Sequence, residues 1–492
     1  VVQAIASGLL LLVGPSPSAP APPAAPLTVA ELSGTWAGTL THAGETERLA
    51  LEIEPGDDGK VLLRVSVPVA HLDRAALGRV APQVRGDEVR LGPFALRYDP
   101  EAKTLTGTAP TGLVPVYDIP MTLRRVERFD VPPRPGLAAP LAKPAWTFEA
   151  GSPLWAGATF ADGTVYAGGE DGQLHALEAR TGREKWSFRA GGAIRTRATL
   201  GGGSLYFQAD DGWLYALEAA SGSERWRVRV VDKPIERLPF DDPKSRYDRF
   251  GSDVTVAEGR LFLGTHDGRL LALDPGRGEK AWEFAAGDSV LAAPAVEGGR
   301  VFFGSFDGNV YALDAATGRL VWKRDTRAPV VSTPAVAGDR LVVGNRGYDL
   351  LGLDARTGEP AWTRYIWFSW VESSAVVRDG VAYVGSSDAA AVYAFDARTG
   401  EHRWKTDVFG WAWGQPAVTG TRVYAGTSSQ QGYLAGHRGI VVAMERSTGR
   451  PVWHYAAEPA AKGAYGFPGS PAVGEGRVFV TGLDGKVYAF EQ

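Results

Sequence analysis

The sequence predicts an all-β chain: an eight-bladed β-propeller closed by pairing of its first and last strands, preceded by a small antiparallel β barrel or sandwich. Three observations predict it. A motif close to "DGNVYALDAATGRLVW", residues 307–322, recurs eight times. Its tryptophans, Trp146, Trp186, Trp226, Trp282, Trp322, Trp362, Trp404 and Trp453, stand 40, 40, 56, 40, 40, 42 and 49 residues apart. Within each unit apolar and polar residues alternate with period two, and no long run follows the helical period. A period near 40 residues built from several short strands is a propeller blade rather than a helical solenoid.

Taken in order, residues 1–26 join an apolar run, Ala4 to Val13, to a Pro/Ala/Ser tract. The run is too short to span a bilayer and resembles the apolar core of a secretory signal, although no initiator Met or basic flank precedes it. Export to the periplasm or the cell exterior is therefore expected, the other reading being a disordered tail. Residues 27–126 carry short alternating runs such as "RLALEIE" and "KVLLRVSV" with Gly, Asp and Pro between them, the pattern of a small antiparallel β domain. Its opening "GTW", with Trp36, resembles the start of lipocalin-like barrels and equally suits a core aromatic of a sandwich. Residues 127–143 are rich in proline and read as a linker. The propeller is expected over 144–492.

In the fourth unit the strands are "SVLAAPAV", "RVFFGS", "NVYALD" and "LVWKR". Asp-Gly pairs at 171, 211, 267, 307 and 484 suit tight hairpins between the second and third strands, with positive φ expected at both residues. The polar corner at Asp314 and Thr317-Gly318 turns the chain outward, where Trp322 can cover it and meet the next blade. The last unit ends at "KVYAFEQ" without a tryptophan strand, and "PAWTFEA" around Trp146 has no earlier unit. Pairing these two pieces closes the ring and removes both open edges.

Composition excludes several functions. The chain of 492 residues has no cysteine, so disulfides, thiolate metal sites and a cysteine nucleophile are absent. A net charge of -4 gives no electrostatic reason to bind nucleic acid. The seven histidines are scattered, and neither a nucleophile elbow nor a phosphate-binding loop occurs. No transmembrane segment is expected in the mature chain, and a monomer is expected.

Candidate site residues come from aligning the inner strands on the column that holds Pro294, Pro334, Pro416 and Pro471. Two residues earlier every blade has a small residue, as at Ala156, Ser252, Ser332 and Gly469, which suggests crowding near the axis. Positions one, three and five before the column face the other way and vary widely. They include Trp155, Arg195, Arg197, Arg249, Asp253, Trp370, Glu372, Trp411, Trp413 and Gln415. Arginines beside indoles could seat a flat anionic ligand, by paired hydrogen bonds and stacking. Alternatively these charges pair with one another while the indoles fill the channel. Three insertions interrupt the repeat: within 230–253, at "SSQQGYLAGHRG", and at "EPAAKGAYGF". All three fall among the blade-to-blade loops and hairpins of one face, where binding commonly resides.

"YALDAATGRLVW", "HALEARTGREKW" and "YAFDARTGEHRW" resemble the tryptophan-docking repeat of the PQQ-type (quinoprotein-like) eight-bladed β-propellers, over about residues 144–492. That resemblance implies one of two functions. Quinoprotein alcohol dehydrogenases bind pyrroloquinoline quinone (PQQ) and calcium in the funnel, whereas the propeller lipoprotein of the outer-membrane barrel-assembly machinery binds partners without a cofactor. This chain lacks the cysteines for the vicinal disulfide of the former and for the lipid of the latter. No segment matches the calcium or catalytic-base motifs of the dehydrogenases, so no catalytic residue is assigned. The expectation is a binding or scaffold module that acts through its loop-rich face and channel on a protein or small anionic ligand, the alternative being a PQQ-dependent oxidoreductase with calcium.

Overall fold

The computed structural model describes residues 27–110, 116–134, 136–238, 242, 245–246, 248–433 and 435–492. The apolar run taken for an export signal lies outside them. The chain divides into two compact units, Val1–Pro135 with Trp367–Ser369, and Gly136–Ile366 with Trp370–Gln492.

In the first unit, nine strands form one antiparallel half-barrel sheet. Their spatial order is Leu72–Val80, Val61–Val67, Glu45–Pro55, Gly34–His42, Pro120–Val126, Thr104–Thr108, Phe94–Asp99, Glu88–Leu91 and Gln83–Arg85. Alternate residues make its core, among them Leu40, Leu51, Ile53, Leu63, Val65, Leu96, Leu105 and Leu123, as period-two burial requires. Trp36 is buried, donates its indole N–H to the Leu32 carbonyl at 2.8 Å, and lies under the Arg125 guanidinium at 5.1 Å. It thus pins the capped one-turn helix Val29–Leu32 to the end of the sheet.

The second unit is the propeller, eight four-stranded antiparallel sheets. Blade 4 is typical, with strands Ala295–Glu297, Arg300–Gly304, Asn309–Asp314 and Leu320–Asp325 in chain order. Its third strand, "NVYALD", is buried on both faces because a neighbouring blade covers each, while the outer strand alternates. In seven blades the pairing of third and fourth strands slips by one residue at the same place, as at Ala312/Leu313. Such a bulge increases the local twist.

The tryptophans fasten each blade to the next. Trp322 donates its indole N–H to the Ala355 carbonyl of blade 5 at 3.1 Å, and six other docking indoles make the corresponding bond at 3.0–3.3 Å. The ring lies so close to the receiving corner that a Cβ on Gly358, at φ +74°, would meet it at 2.6 Å. That contact, together with the positive φ, explains the glycine of the Thr-Gly corner.

Trp146–Glu149 pairs with the final strand Lys486–Glu491 in the register Trp146↔Ala489 to Glu149↔Lys486. The last sheet therefore takes its outer strand from the start of the propeller, and the Trp146 indole bonds the Ala179 carbonyl of blade 1 at 3.0 Å. Part of the stretch expected as linker runs along blade 7: Ala142 N–H donates to the His454 carbonyl at 2.7 Å and His454 N–H to the Pro140 carbonyl at 3.0 Å.

The Asp-Gly hairpins differ from the expected geometry. Only their glycines have positive φ, between +79° and +88°. Each aspartate instead stays in ordinary backbone space and uses its carboxylate as an acceptor, as where Asp307 takes the Asn309 N–H at 2.9 Å. The Gly308 N–H bonds back to the Ser305 carbonyl at 3.2 Å, so the turn is type I closed by a left-handed glycine.

Candidate functional site: the channel and the loop-rich face

The variable positions of the inner strands face the axis. The residue one before the aligned column in every blade, Gly157, Arg197, Asp253, Ala293, Thr333, Ser374, Gln415 and Ser470, borders a single cavity of about 90 Å³. Arg195, Glu372 and Trp413 border it as well. A second cavity of about 50 Å³ shares Phe250, Leu291, Val331, Glu372 and Trp413 with the first, and adds Asp248, Arg249, Phe306 and Arg346. The small-residue column, expected near the axis, borders the same cavity at Ala156, Ala292, Gly414 and Gly469 and also fastens blade to blade. Ser252 Oγ donates to the Ala292 carbonyl of the next blade and accepts from Gly264 N–H, both at 2.9 Å, and Ser373 repeats the arrangement. Three of the singled-out tryptophans border neither cavity. Trp155 is buried with Arg195 and Arg249 each 5.9 Å from its ring. Trp370 lies under Arg346 at 4.7 Å, and Trp411 stacks on Trp413 at 4.9 Å.

Five of the charges along the channel, Arg195, Arg197, Asp253, Arg346 and Glu372, are paired within the chain. Arg195, its side chain 10% exposed, bonds both Glu170 and Asp210, the latter at 3.1 Å. Asp210 also takes a two-pronged contact from Arg237 at 2.9 Å. Asp253 accepts the Arg197 backbone N–H and side-chain Nε at 2.7 Å each. Glu372 accepts Arg346 Nε at 2.5 Å. Burial pushes the Glu372 carboxyl above the usual carboxylate range despite that arginine, and burial followed by the nearby Arg195 pulls Arg249 down. Trp413 Nε1 donates to Ser387 Oγ at 3.2 Å and Gln415 Nε2 to the Ala375 carbonyl at 3.3 Å.

Sequence reasoning named both members of only one of these five pairs, Arg197–Asp253, although a signal for the others existed. The residue just before the aspartate of the hairpin varies as widely as the channel columns: Glu170, Asp210, His266 and Phe306, with Arg346 at the corresponding place in blade 5. The backbone explains it. Glu170, Asp210, Phe306 and Arg346 donate their N–H to carbonyls at the entry of the inner strand, Pro153, Ala193, Ser289 and Pro329, which sets their side chains at the channel mouth. Part of the first insertion reaches the same mouth. Arg237 binds Asp210, Arg246 binds Asp288 at 2.8 Å, Asp248 meets His266 at 2.7 Å, and Phe250 borders both cavities.

The other two insertions join each other. Ser428–Gln430 pairs with Ala464–Gly466 as a two-stranded ribbon, in the register Ser428↔Gly466 to Gln430↔Ala464. Tyr433, from the seventh-blade insertion, hydrogen bonds Asp388, which also accepts the Trp411 indole N–H at 3.2 Å. Beside the ribbon is a cavity of about 490 Å³. The hairpins and the blade-to-blade loops share this face, as the bond from Gly191 N–H to Asp211 at 3.0 Å illustrates.

The channel as it stands does not fit PQQ with calcium. A flat three-ring tricarboxylate needs a site of roughly 300 Å³ or more, several times the cavity present. Asp253 and Glu372, the two carboxylates among the singled-out channel residues, each hold an arginine. Among the described residues no cluster of three or more His, Asp or Glu is arranged to hold a metal ion. Nor is any described helix long and apolar enough to cross a membrane.

Comparison with known proteins agrees with this architecture. A curated relative, the quinohemoprotein alcohol dehydrogenase of Comamonas testosteroni, is 32% identical over 120 residues, 22% of this chain and 16% of that enzyme. This chain thus spans about a sixth of its length. Among solved structures, BamB from Moraxella catarrhalis superposes with a TM-score of 0.55 at 19% identity, over 72% of this chain and all of BamB. The C. testosteroni quinohemoprotein alcohol dehydrogenase superposes with 0.54 at 15% identity, over 71% of this chain and 76% of the enzyme. At such identities both show the fold alone. The family model described as outer membrane protein assembly factor BamB matches residues 139–239, 211–368 and 366–491, hence nearly the whole propeller. The chain belongs to that PQQ-type propeller family.

Proposed function

We propose that this chain is an exported, non-enzymatic binding propeller that engages a protein partner through its loop-rich face. The observation that carries the reading is the pairing of the channel charges: Arg195, Arg197, Arg346, Asp253 and Glu372 are occupied by one another or by Glu170 and Asp210. A ligand entering there would have to break buried ion pairs, which costs several kcal/mol per uncompensated charge. Family membership supports the same reading, as does the gathering of the insertions on one face. Export rests on the apolar segment at residues 4–13 and on the family.

The second reading, a PQQ-dependent oxidoreductase, is favoured by the likeness to the quinohemoprotein alcohol dehydrogenase. Titration of the purified chain with PQQ and calcium separates the two. A ligand at 100 times its Kd adds about 2.7 kcal/mol of stability, which scanning calorimetry detects. The expected result is no saturable absorbance change and an unaltered Tm. A saturable spectrum with a raised Tm would overturn the scaffold reading.

A further inference from the structure

The cavity beside the ribbon differs from the channel in one chemical respect. Four of its polar side chains are uncommitted: among the described residues, those of Gln430, Gln431, Arg438 and Glu458 border it without a side-chain hydrogen bond or ion pair. The Arg438 guanidinium lies 5.8 Å from the Phe409 ring. The walls that carry them are held by side-chain packing and hydrogen bonds. Tyr433 is anchored by its hydroxyl to Asp388 and packs against Trp411 at 4.7 Å and His437 at 4.8 Å. Tyr465 is buried in the ribbon and donates to the His437 carbonyl at 3.3 Å. Both segments are insertions that the blades do not need, so neither the cavity nor its chemistry is a by-product of the repeat.

We propose that this cavity is a binding site for a neutral oligosaccharide. Three properties select that class. One cation and one anion, Arg438 and Glu458, leave the lining without net charge, which disfavours an anionic or cationic ligand. Planar amide, guanidinium and carboxylate groups each present two hydrogen-bonding atoms side by side, matching the adjacent hydroxyls of a sugar. The half-buried Tyr433 ring, its hydroxyl engaged by Asp388, contributes apolar surface, which suits the C–H face of a pyranose. The volume, about 490 Å³, lies in the range of sites that enclose ligands of a few rings. The site is separate from the channel, and on the proposed reading it adds a small ligand to the face used for protein docking.

The test is calorimetric titration of the full chain with cellotetraose, chitotetraose and maltotetraose, with indole fluorescence followed in parallel because Trp411 touches Tyr433. At least one of the three is expected to bind saturably with a Kd of about 1 mM or below, typical of a few polar contacts. Gln431→Ala and Arg438→Ala, both exposed and without side-chain hydrogen bonds or ion pairs, should each weaken it about tenfold, with no change in Tm for Gln431→Ala and a small one for Arg438→Ala, which also loses the Phe409 contact. Arg319→Ala, on the opposite face, should leave it unchanged. No saturable signal from any of the three sugars overturns the proposal, as does binding indifferent to Gln431→Ala and Arg438→Ala. A protein cross-linked at the cavity but not displaced by the sugars would assign it to the partner instead. The PQQ titration is unaffected by either outcome, so the two readings fail separately.

Discussion

Trp146→Ala should destabilise the propeller by about 3 kcal/mol, the lower end for removal of a large aromatic side chain, and should do so by opening the ring. The indole is half-buried rather than enclosed, which sets the lower end. Its loss removes the bond to the Ala179 carbonyl at 3.0 Å, the contact with Phe479 at 5.8 Å, and the surface beneath the Gly182 corner. Trp146 differs from the other docking tryptophans in its place in the chain. In every other blade the outer strand follows the third strand directly in the chain, whereas Trp146–Glu149 is joined to its sheet only by pairing with Lys486–Glu491. Scanning calorimetry should show a Tm lowered by several degrees, and limited proteolysis should cut the variant near residue 150. A variant with unchanged Tm and cleavage pattern would mean that the seam is not a structural clasp.

Asp210→Ala should cost about 3–5 kcal/mol, the range for removing one partner from a buried ion pair. Asp210 sits between two arginines whose side chains are 10% and 5% exposed, Arg195 and Arg237. Without it Arg195 keeps only Glu170, and Arg237 keeps only the carbonyl oxygens of Asp248 and Phe250. Two guanidinium groups would then face each other in a poorly solvated mouth. Asp210→Asn, which keeps the shape and an acceptor oxygen, should lose less. Chemical denaturation of the two variants checks the order. Equal, small losses would show that the mouth is wetter and its charges better screened than their burial indicates.

The propeller was legible because one unit is written eight times and each copy repeats the same physical necessity: a glycine under an indole, a small residue where inner strands touch, an aspartate to close a hairpin. Ring closure followed from an unmatched strand at each end. The hairpin geometry was less legible, since an Asp-Gly pair fits both a two-residue turn and a type I turn with a left-handed glycine. In the half-barrel, Trp36 could be assigned to the core but the number of sheets could not, because alternation reports which residues are buried and not what covers them.

At the channel, the sequence left open which side of the inner strand meets the axis, since strand alternation separates two faces without saying which of them is central. Nor could the partners of its arginines be read, since Glu170, Asp210 and Arg346 come from hairpins and Arg237 from an insertion that breaks the alignment. Pairing across blades depends on side-chain reach, which a column of residue types does not encode. The ribbon of Ser428–Gln430 with Ala464–Gly466 was hidden for a similar reason. Two departures from a repeat, separated by most of a blade, carry no mark that they meet.

The claim that binding resides on the loop-rich face is tested most directly by photo-cross-linking in cells. A photoreactive residue is placed at Glu236 or Lys462 on that face, and at Arg319 or Arg356 on the corners opposite; all four side chains are exposed. Discrete protein adducts from Glu236 or Lys462, with none from Arg319 or Arg356, are the predicted result. Adducts confined to the corner positions, or no adduct from any position, would contradict it.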